Sequence, residues 1–389
     1  MIATFVMAHT KAGQLLALIA EFSGPPHRRG RLENIMIPEP RNPIAQLPIV
    51  PQKVLKAHRV DETFDNRFRA CARLLQALWR ERSDLPIGTF TNHQGAKRRI
   101  GSLIAEAAAE EGRNFFNPEI AEVARLSVAY QERGAMIDRN RLFGNLLSSH
   151  PLVLNLFGPL CRNLQLAAQI LRAMVPAIDV KAVIDVRFEH SPGRQDATLT
   201  GDRSAFDVAF VYERSDGKRG LVGVEVKYSE TGQEPAPAEL STCYDSLARS
   251  SGLFKEPGHA ALRVNPLEQL FREHLLAQSA VIRGDYAEAY FVLIAPRPNH
   301  LVQNAARLYA NFLAKPGKAQ VPFVNVELEQ VIEAYGWAGQ EVHALDLFER
   351  YANWQAVDEV VRAALKATGK TWLAKPAKSK AIALIGKAA

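Results

Sequence analysis

One segment, residues 200–230 (TGDRSAFDVAFVYERSDGKRGLVGVEVKYSE), limits the available folds more than any other part of the chain. Two apolar runs, residues 205–212 and 221–228, flank Ser215-Asp216-Gly217-Lys218, which is a hairpin turn signal. Side chains alternate along a strand, so Glu225 and Lys227 share one face while Val224, Val226 and Tyr228 take the other. Asp207 and Glu225 are each about nine residues from the turn midpoint, so antiparallel pairing sets them roughly opposite each other. Two carboxylates and an ammonium then share one patch of sheet. On a solvated edge such a Glu/Lys pair would contribute under about 1 kcal/mol. The neighbours Phe206, Val208, Ala209 and Phe210 argue against that edge, because charges in apolar company are costly unless they pair or bind metal.

The rest of the chain supplies a context for this hairpin. Before residue 176 the apolar spacing is helical: residues 61–81, a block from 101 to about 111, a helix opened by Asn117-Pro118-Glu119, then 142–147 and 160–174. Residues 84–98 read as a turn-rich connection. Beyond 176 come strands at 182–188, 205–212 and 221–228, a helix from Pro266, and a strand at 289–295 that is apolar on both faces. Helix (300–314), strand (322–326) and helix (328–335) follow. This order predicts an α/β or α+β sheet core preceded by an all-helical segment. The expected divisions are an irregular N-terminal extension (1–55), a helical segment (56–115), a catalytic-type domain (116–355) and a basic tail (356–389).

Paired carboxylates on one strand face suit phosphodiester hydrolysis. They repel each other and favour a hard divalent cation; oxygen ligands with retained waters suit Mg²⁺, with Mn²⁺ as a substitute. The cation would polarise a phosphoryl oxygen and bring a water nearer to hydroxide. Lys227 would orient that water and stabilise the pentavalent transition state, and the carbonyl of Val226, between the two functional side chains, is a further ligand.

Asp207 followed by Glu225-Val226-Lys227 on the next strand resembles the signature of the PD-(D/E)XK nuclease superfamily. With Gly223-Val224 and the upstream Phe188-Glu189-His190-Ser191-Pro192-Gly193, it most resembles the restriction-endonuclease-like branch. One position departs: Phe206 stands where the pattern has proline. The resemblance implies a central mixed sheet flanked by helices, and a metal site of Asp207, Glu225 and Val226. It also implies catalytic roles for Asp207, Glu225 and Lys227, supported by Glu189 and by Gln269 on the helix after the third strand. Arg272 would join Gln269 toward phosphate or water, Glu132 would be a helical acid, Asp202-Arg203 an ion pair ordering a loop, and His274 a structural residue.

The 389 residues carry a net charge of +7, but the charge is segregated. Residues 1–100 sum to +8, residues 101–359 to −8, and the remainder to +7, with no acid after Glu359. A uniformly basic nucleic-acid coat is thereby excluded. The clusters Arg28-Arg29-Arg31, Lys97-Arg98-Arg99 and the C-terminal lysines read as arms that hold phosphate through bulk charge. Three scattered cysteines, Cys71, Cys161 and Cys243, point to a reducing, cytoplasmic setting without disulfides. No apolar run reaches membrane-spanning length, and the stretch at 15–20 is short for a signal peptide. The expected activity is a Mg²⁺-dependent endonuclease acting on DNA, in restriction or defence, and a homodimer would let it cut both strands. The alternatives are a nuclease fold that no longer cuts and serves as a DNA-binding or interaction module, and a plain scaffold indifferent to nucleic acid.

Overall fold

The structure is a computed structural model that describes residues 46–92, 94–230, 243–315, 317 and 319–367. A five-stranded sheet forms its centre, in the order β3 (Ala182–His190), β4 (Phe206–Glu213), β5 (Arg219–Val226), β6 (Glu288–Ala295) and β7 (Phe323–Glu327). The first three strands pair antiparallel and the last two join in parallel. The switch is enforced by connection length: β4 and β5 share a tight turn with Gly217 at φ 78°, whereas β5 reaches β6 through a helical crossover.

Alternation along the central strands builds two cores. Val208, Phe210, Tyr212, Val222, Val224, Val292 and Ile294 face one side. There they meet α4 (Pro118–Ala129), α6 (Ser149–Phe157), α7 (Leu164–Met174), α11 (Leu328–Trp337) and α12 (Glu341–Tyr351). Ala209, Val211, Leu221, Phe291 and Leu293 face the other, under α8 (Cys243–Ser251), α9 (Glu268–Arg283) and α10 (His300–Phe312). The helices start where sequence chemistry dictates: Asn117 caps α4 by accepting from Ile120 N–H, Ser148 caps α6, and Asn299 caps α10. Gly284, in the left-handed region at φ 89°, ends α9.

The flanks differ from the sequence expectation. Residues 87–104 form a two-stranded antiparallel ribbon, β1 (Ile87–Thr91) and β2 (Lys97–Ile104), where a turn-rich connection and a helix were expected. The helix there shrinks to α3 (Glu106–Glu110); α5 (Arg139–Gly144) follows α4. Residues 52–55, assigned to an irregular extension, are helical and belong to α1 (Gln52–Ala57). Residues 356–367, assigned to a basic tail, belong to α13 (Trp354–Ala367). Val54 of α1 and Val357 and Val361 of α13 are buried with Cys71, Leu74, Leu75 and Ala77 of α2 (Arg67–Arg82), so both ends close over one apolar face of α2. The positive charge of Arg362 and Lys366 therefore rides on a packed helix. Arg28, Arg29, Arg31 and the lysines beyond residue 367 lie outside the described residues.

Candidate active site

The register fixes the site. Val208 pairs with Val224 and Phe188 with Val208, which aligns Glu189, Asp207 and Glu225 in one row across β3, β4 and β5. Asp207 sits where the β4–β5 ladder ends, and its Oδ2 accepts from Val226 N–H at 2.8 Å. Glu189 is held at φ 48°, a conformation that non-glycine residues seldom adopt within a strand. Its carbonyl accepts from Arg194 Nη2 at 2.7 Å, and the adjoining His190 ring bonds Glu132. Glu132 also accepts from Ser191 N–H at 3.0 Å. Glu132, anticipated as a helical acid of the site, thus braces the end of β3.

Lys227 projects from the row toward α9. Its Nζ lies 2.9 Å from Glu225 Oε1 and donates to Gln269 Oε1 at 2.7 Å. Gln269 Nε2 donates in turn to Glu225 Oε1 and Glu273 Oε1, both at 2.8 Å. The amide orientation follows from its partners: an ammonium can only donate and a carboxylate only accepts. A pocket lined by Lys227, Gln269, Leu293, Pro266 and Val302 adjoins the ammonium.

Four carboxyl groups, those of Asp207, Glu225, Glu230 and Glu273, interact with this one ammonium, and Glu189 adjoins them. Burial, then the Glu225 charge, pushes the Glu189 carboxyl up to about 7. Burial, reinforced by Glu225 and Glu189, raises Asp207 well above the usual carboxylate range. Glu273, only 3% exposed, is raised by the same causes, burial first and Glu225 second. Burial opposes the charge on Lys227, but Glu225 and Glu230 outweigh it and hold the ammonium above its ordinary value. Glu230 goes the other way: burial raises it, but Lys227 and backbone N–H donors from Ser149 and Tyr228 prevail and keep it ionised. Carboxyls raised by one another's charge are the groups that a nearby cation would return to the ionised form.

The donor atoms fit one. His150, Glu189 and Asp207 each offer a ligand atom, and these lie within 4.8 Å of one another. That set differs from the expected Asp207, Glu225 and Val226 group. Glu225, next in the row, accepts from Lys227 and Gln269 through Oε1, and Val226 N–H donates to Asp207 Oδ2. His150 went unrecognised in the sequence because residues 149–157 form a short, mostly apolar stretch without a clear amphipathic period; the available signal was the cap, Ser148, ahead of Pro151. Glu230, three residues beyond Lys227, and Glu273, one turn beyond Gln269, were also missed.

Three further residues have defined partners. Arg272 lines the same pocket as Lys227 and Gln269, where it pairs with Glu268 and donates to Ser204 Oγ at 2.6 Å. Asp202 orders its loop through Thr200, Ser204 and Tyr244 rather than through Arg203. His274 is structural: Nε2 bonds the Val321 carbonyl at 2.8 Å, so it carries the proton, and Nδ1 accepts from the Tyr309 hydroxyl at 2.9 Å.

Fold and site together carry the pattern of a known class. A family model of the PD-(D/E)XK nuclease superfamily matches residues 63–353, well over half of the chain, and the chain belongs to that superfamily. Members are typically nucleases that use divalent metal ions. No curated protein and no solved structure matches the chain. The expected fold class, a mixed sheet flanked by helices, is the one observed. Among the described residues no helix is long and apolar enough to cross a membrane.

Proposed function

We propose that the chain is a Mg²⁺-dependent endonuclease that hydrolyses phosphodiester bonds in DNA, acting in restriction or another defence against foreign DNA. The observation that carries this reading is the row Glu189, Asp207 and Glu225 with Lys227 bonded at its end. Asp207 and Glu225, with the Val226 carbonyl, would hold the ion, and Glu189 and His150 extend the ligand set beside Asp207. Bound there, a divalent cation supplies a polarised phosphoryl oxygen and a more acidic water.

The chain's own residues do the rest. Two of the three Lys227 N–H bonds are committed to Glu225 and Gln269, leaving one for a phosphoryl oxygen. Because its carboxylate neighbours keep it charged, Lys227 acts as a fixed donor that stabilises developing negative charge and orients the attacking water, not as a base. Gln269 holds the ammonium in place through its carbonyl. Glu189, Asp207 and Glu225 keep the nucleophile's side of the scissile phosphate lined with acceptors that order water.

The test is plasmid nicking by the purified chain with Mg²⁺ or Mn²⁺. Asp207→Ala, Glu225→Ala and Lys227→Ala are each expected to lower the rate by about 10² or more. If all three cut like the parent, the assignment of the site is wrong. DNA binding that survives loss of Asp207 and Glu225, with no cleavage by the parent, would instead support a non-cutting binding module.

A further inference from the structure

The triplet Lys97-Arg98-Arg99 has no part in the site just described, yet the fold displays it in a specific way. It lies on β2 of the two-stranded ribbon, where Thr89 pairs with Arg99, Phe90 with Arg98 and Thr91 with Lys97. Paired residues in an antiparallel ribbon share a face, and successive ones alternate. One face therefore carries Thr89, Thr91, Lys97 and Arg99, all exposed. The other carries Phe90 and Arg98, and there Arg98 is neutralised by Glu62 at 2.6 Å. Neither Lys97 nor Arg99 has a carboxylate partner among the described residues. The result is a face with two uncompensated cations and two hydroxyls.

We propose that this ribbon is a docking arm for double-stranded DNA, with the Thr89, Thr91, Lys97 and Arg99 face set against the phosphate backbone beside the bond to be cut. The inference rests on the nuclease reading above and adds where the duplex is held. Two cations and two hydroxyl donors on a face free of acids complement phosphate oxygens, which take most protein–DNA hydrogen bonds. A two-stranded ribbon is also narrow enough to lie along the major groove, roughly 12 Å wide.

The arm is rigidly joined to the site. Buried Arg80 clamps the base of the ribbon, donating to Gly101 O of β2 at 2.9 Å and to Leu85 O just ahead of β1 at 2.8 Å. Gly101 fits only as glycine, since a Cβ there would lie 2.0 Å from the His58 carbonyl oxygen. Leu103 bridges Asn145, and Leu146 N–H donates to Ser102 O at 3.0 Å. From there the chain runs directly to Ser149, whose N–H holds Glu230, and to His150. The ribbon base is thus bonded to the segment that leads within a few residues to one wall of the site.

The experiment compares the full chain with Lys97→Gln/Arg99→Gln, and with Lys218→Gln/Arg219→Gln, which removes two exposed cations at the opposite end of the sheet. Binding to a fluorescent duplex is followed across a salt series in EDTA, so that nothing is cut, and Mn²⁺ affinity reports that each variant is folded. The ribbon variant is expected to bind Mn²⁺ like the parent, to lose about tenfold or more in duplex affinity, and to show a salt slope smaller by about 2. The distal variant should match the parent. An unchanged slope in the ribbon variant overturns the proposal, and so does a loss seen only with single-stranded DNA or RNA. Failure of the nuclease reading would look different: ribbon-dependent duplex binding would persist while no divalent cation supported nicking.

Discussion

Lys227 shows how much one residue's surroundings decide. Its ammonium is held by Glu225 and Gln269 and kept charged by Glu225 and Glu230, which fits it for stabilising charge rather than for moving a proton. His150 is the other residue that bears on the proposed chemistry, because it offers a nitrogen donor beside Glu189 and Asp207. Imidazole adds more to the affinity of a site for a first-row transition ion than for Mg²⁺. Calorimetric titration of His150→Ala is expected to show Mn²⁺ binding weakened by about tenfold or more and Mg²⁺ binding changed much less. Equal loss for both ions would mean that His150 shapes the site without ligating. Asp207, Glu225 and Lys227 were legible because strand alternation and distance from a turn are simple arithmetic. His150 was not, because the short helix carrying it is buried on nearly every side and offers no amphipathic period to read.

Among the elements, the β4–β5 hairpin explains the one departure from the superfamily's pattern. Phe206 replaces proline, and its ring lies over Gly223, where a Cβ would come within 2.5 Å of it. The glycine makes room for the ring, so the substitution is absorbed within the hairpin that carries the site. Gly223→Ala is expected to cost about 1–3 kcal/mol in urea unfolding through overpacking. In a double-mutant cycle with Phe206→Ala, that cost should largely disappear; strict additivity would show that the two residues do not compete for space. The ribbon β1–β2 is the element that sequence reasoning lost. Its exposed half carries the basic triplet and only its base is buried, so no alternation reveals it. The alanines at 105 and 107–109, just beyond, drew the helical reading too far forward.

At the scale of the whole molecule, acid sensitivity follows from His274, fully buried beneath α10 and held neutral. Burial lowers its pKa to about 4 from 6.5. A histidine depressed in the fold contributes stability that is complete above pH 6.5 and is lost as the pH falls toward 4, by up to about 3 kcal/mol. The raised carboxyls of Glu189, Asp207 and Glu273 act in the opposite direction, gaining stability on protonation. The histidine effect is therefore read as a difference: the stability advantage of the parent over His274→Gln should shrink between pH 7 and pH 4.5. A constant difference would contradict it. At the same scale the charge stays segregated among the described residues: the sheet centre holds the candidate acidic metal ligands, and the ribbon carries Lys97 and Arg99.

The central claim is that the carboxylate row and Lys227 together hydrolyse phosphodiester bonds with a divalent cation. It is tested most directly by plasmid nicking with the parent and Lys227→Met, each in Mg²⁺ and in EDTA, alongside their cation affinities. The account predicts that the parent nicks only with the cation, and that Lys227→Met still binds the ion but nicks at least about 10²-fold more slowly. Nicking that persists in EDTA, or that Lys227→Met performs at the parent's rate, would contradict it.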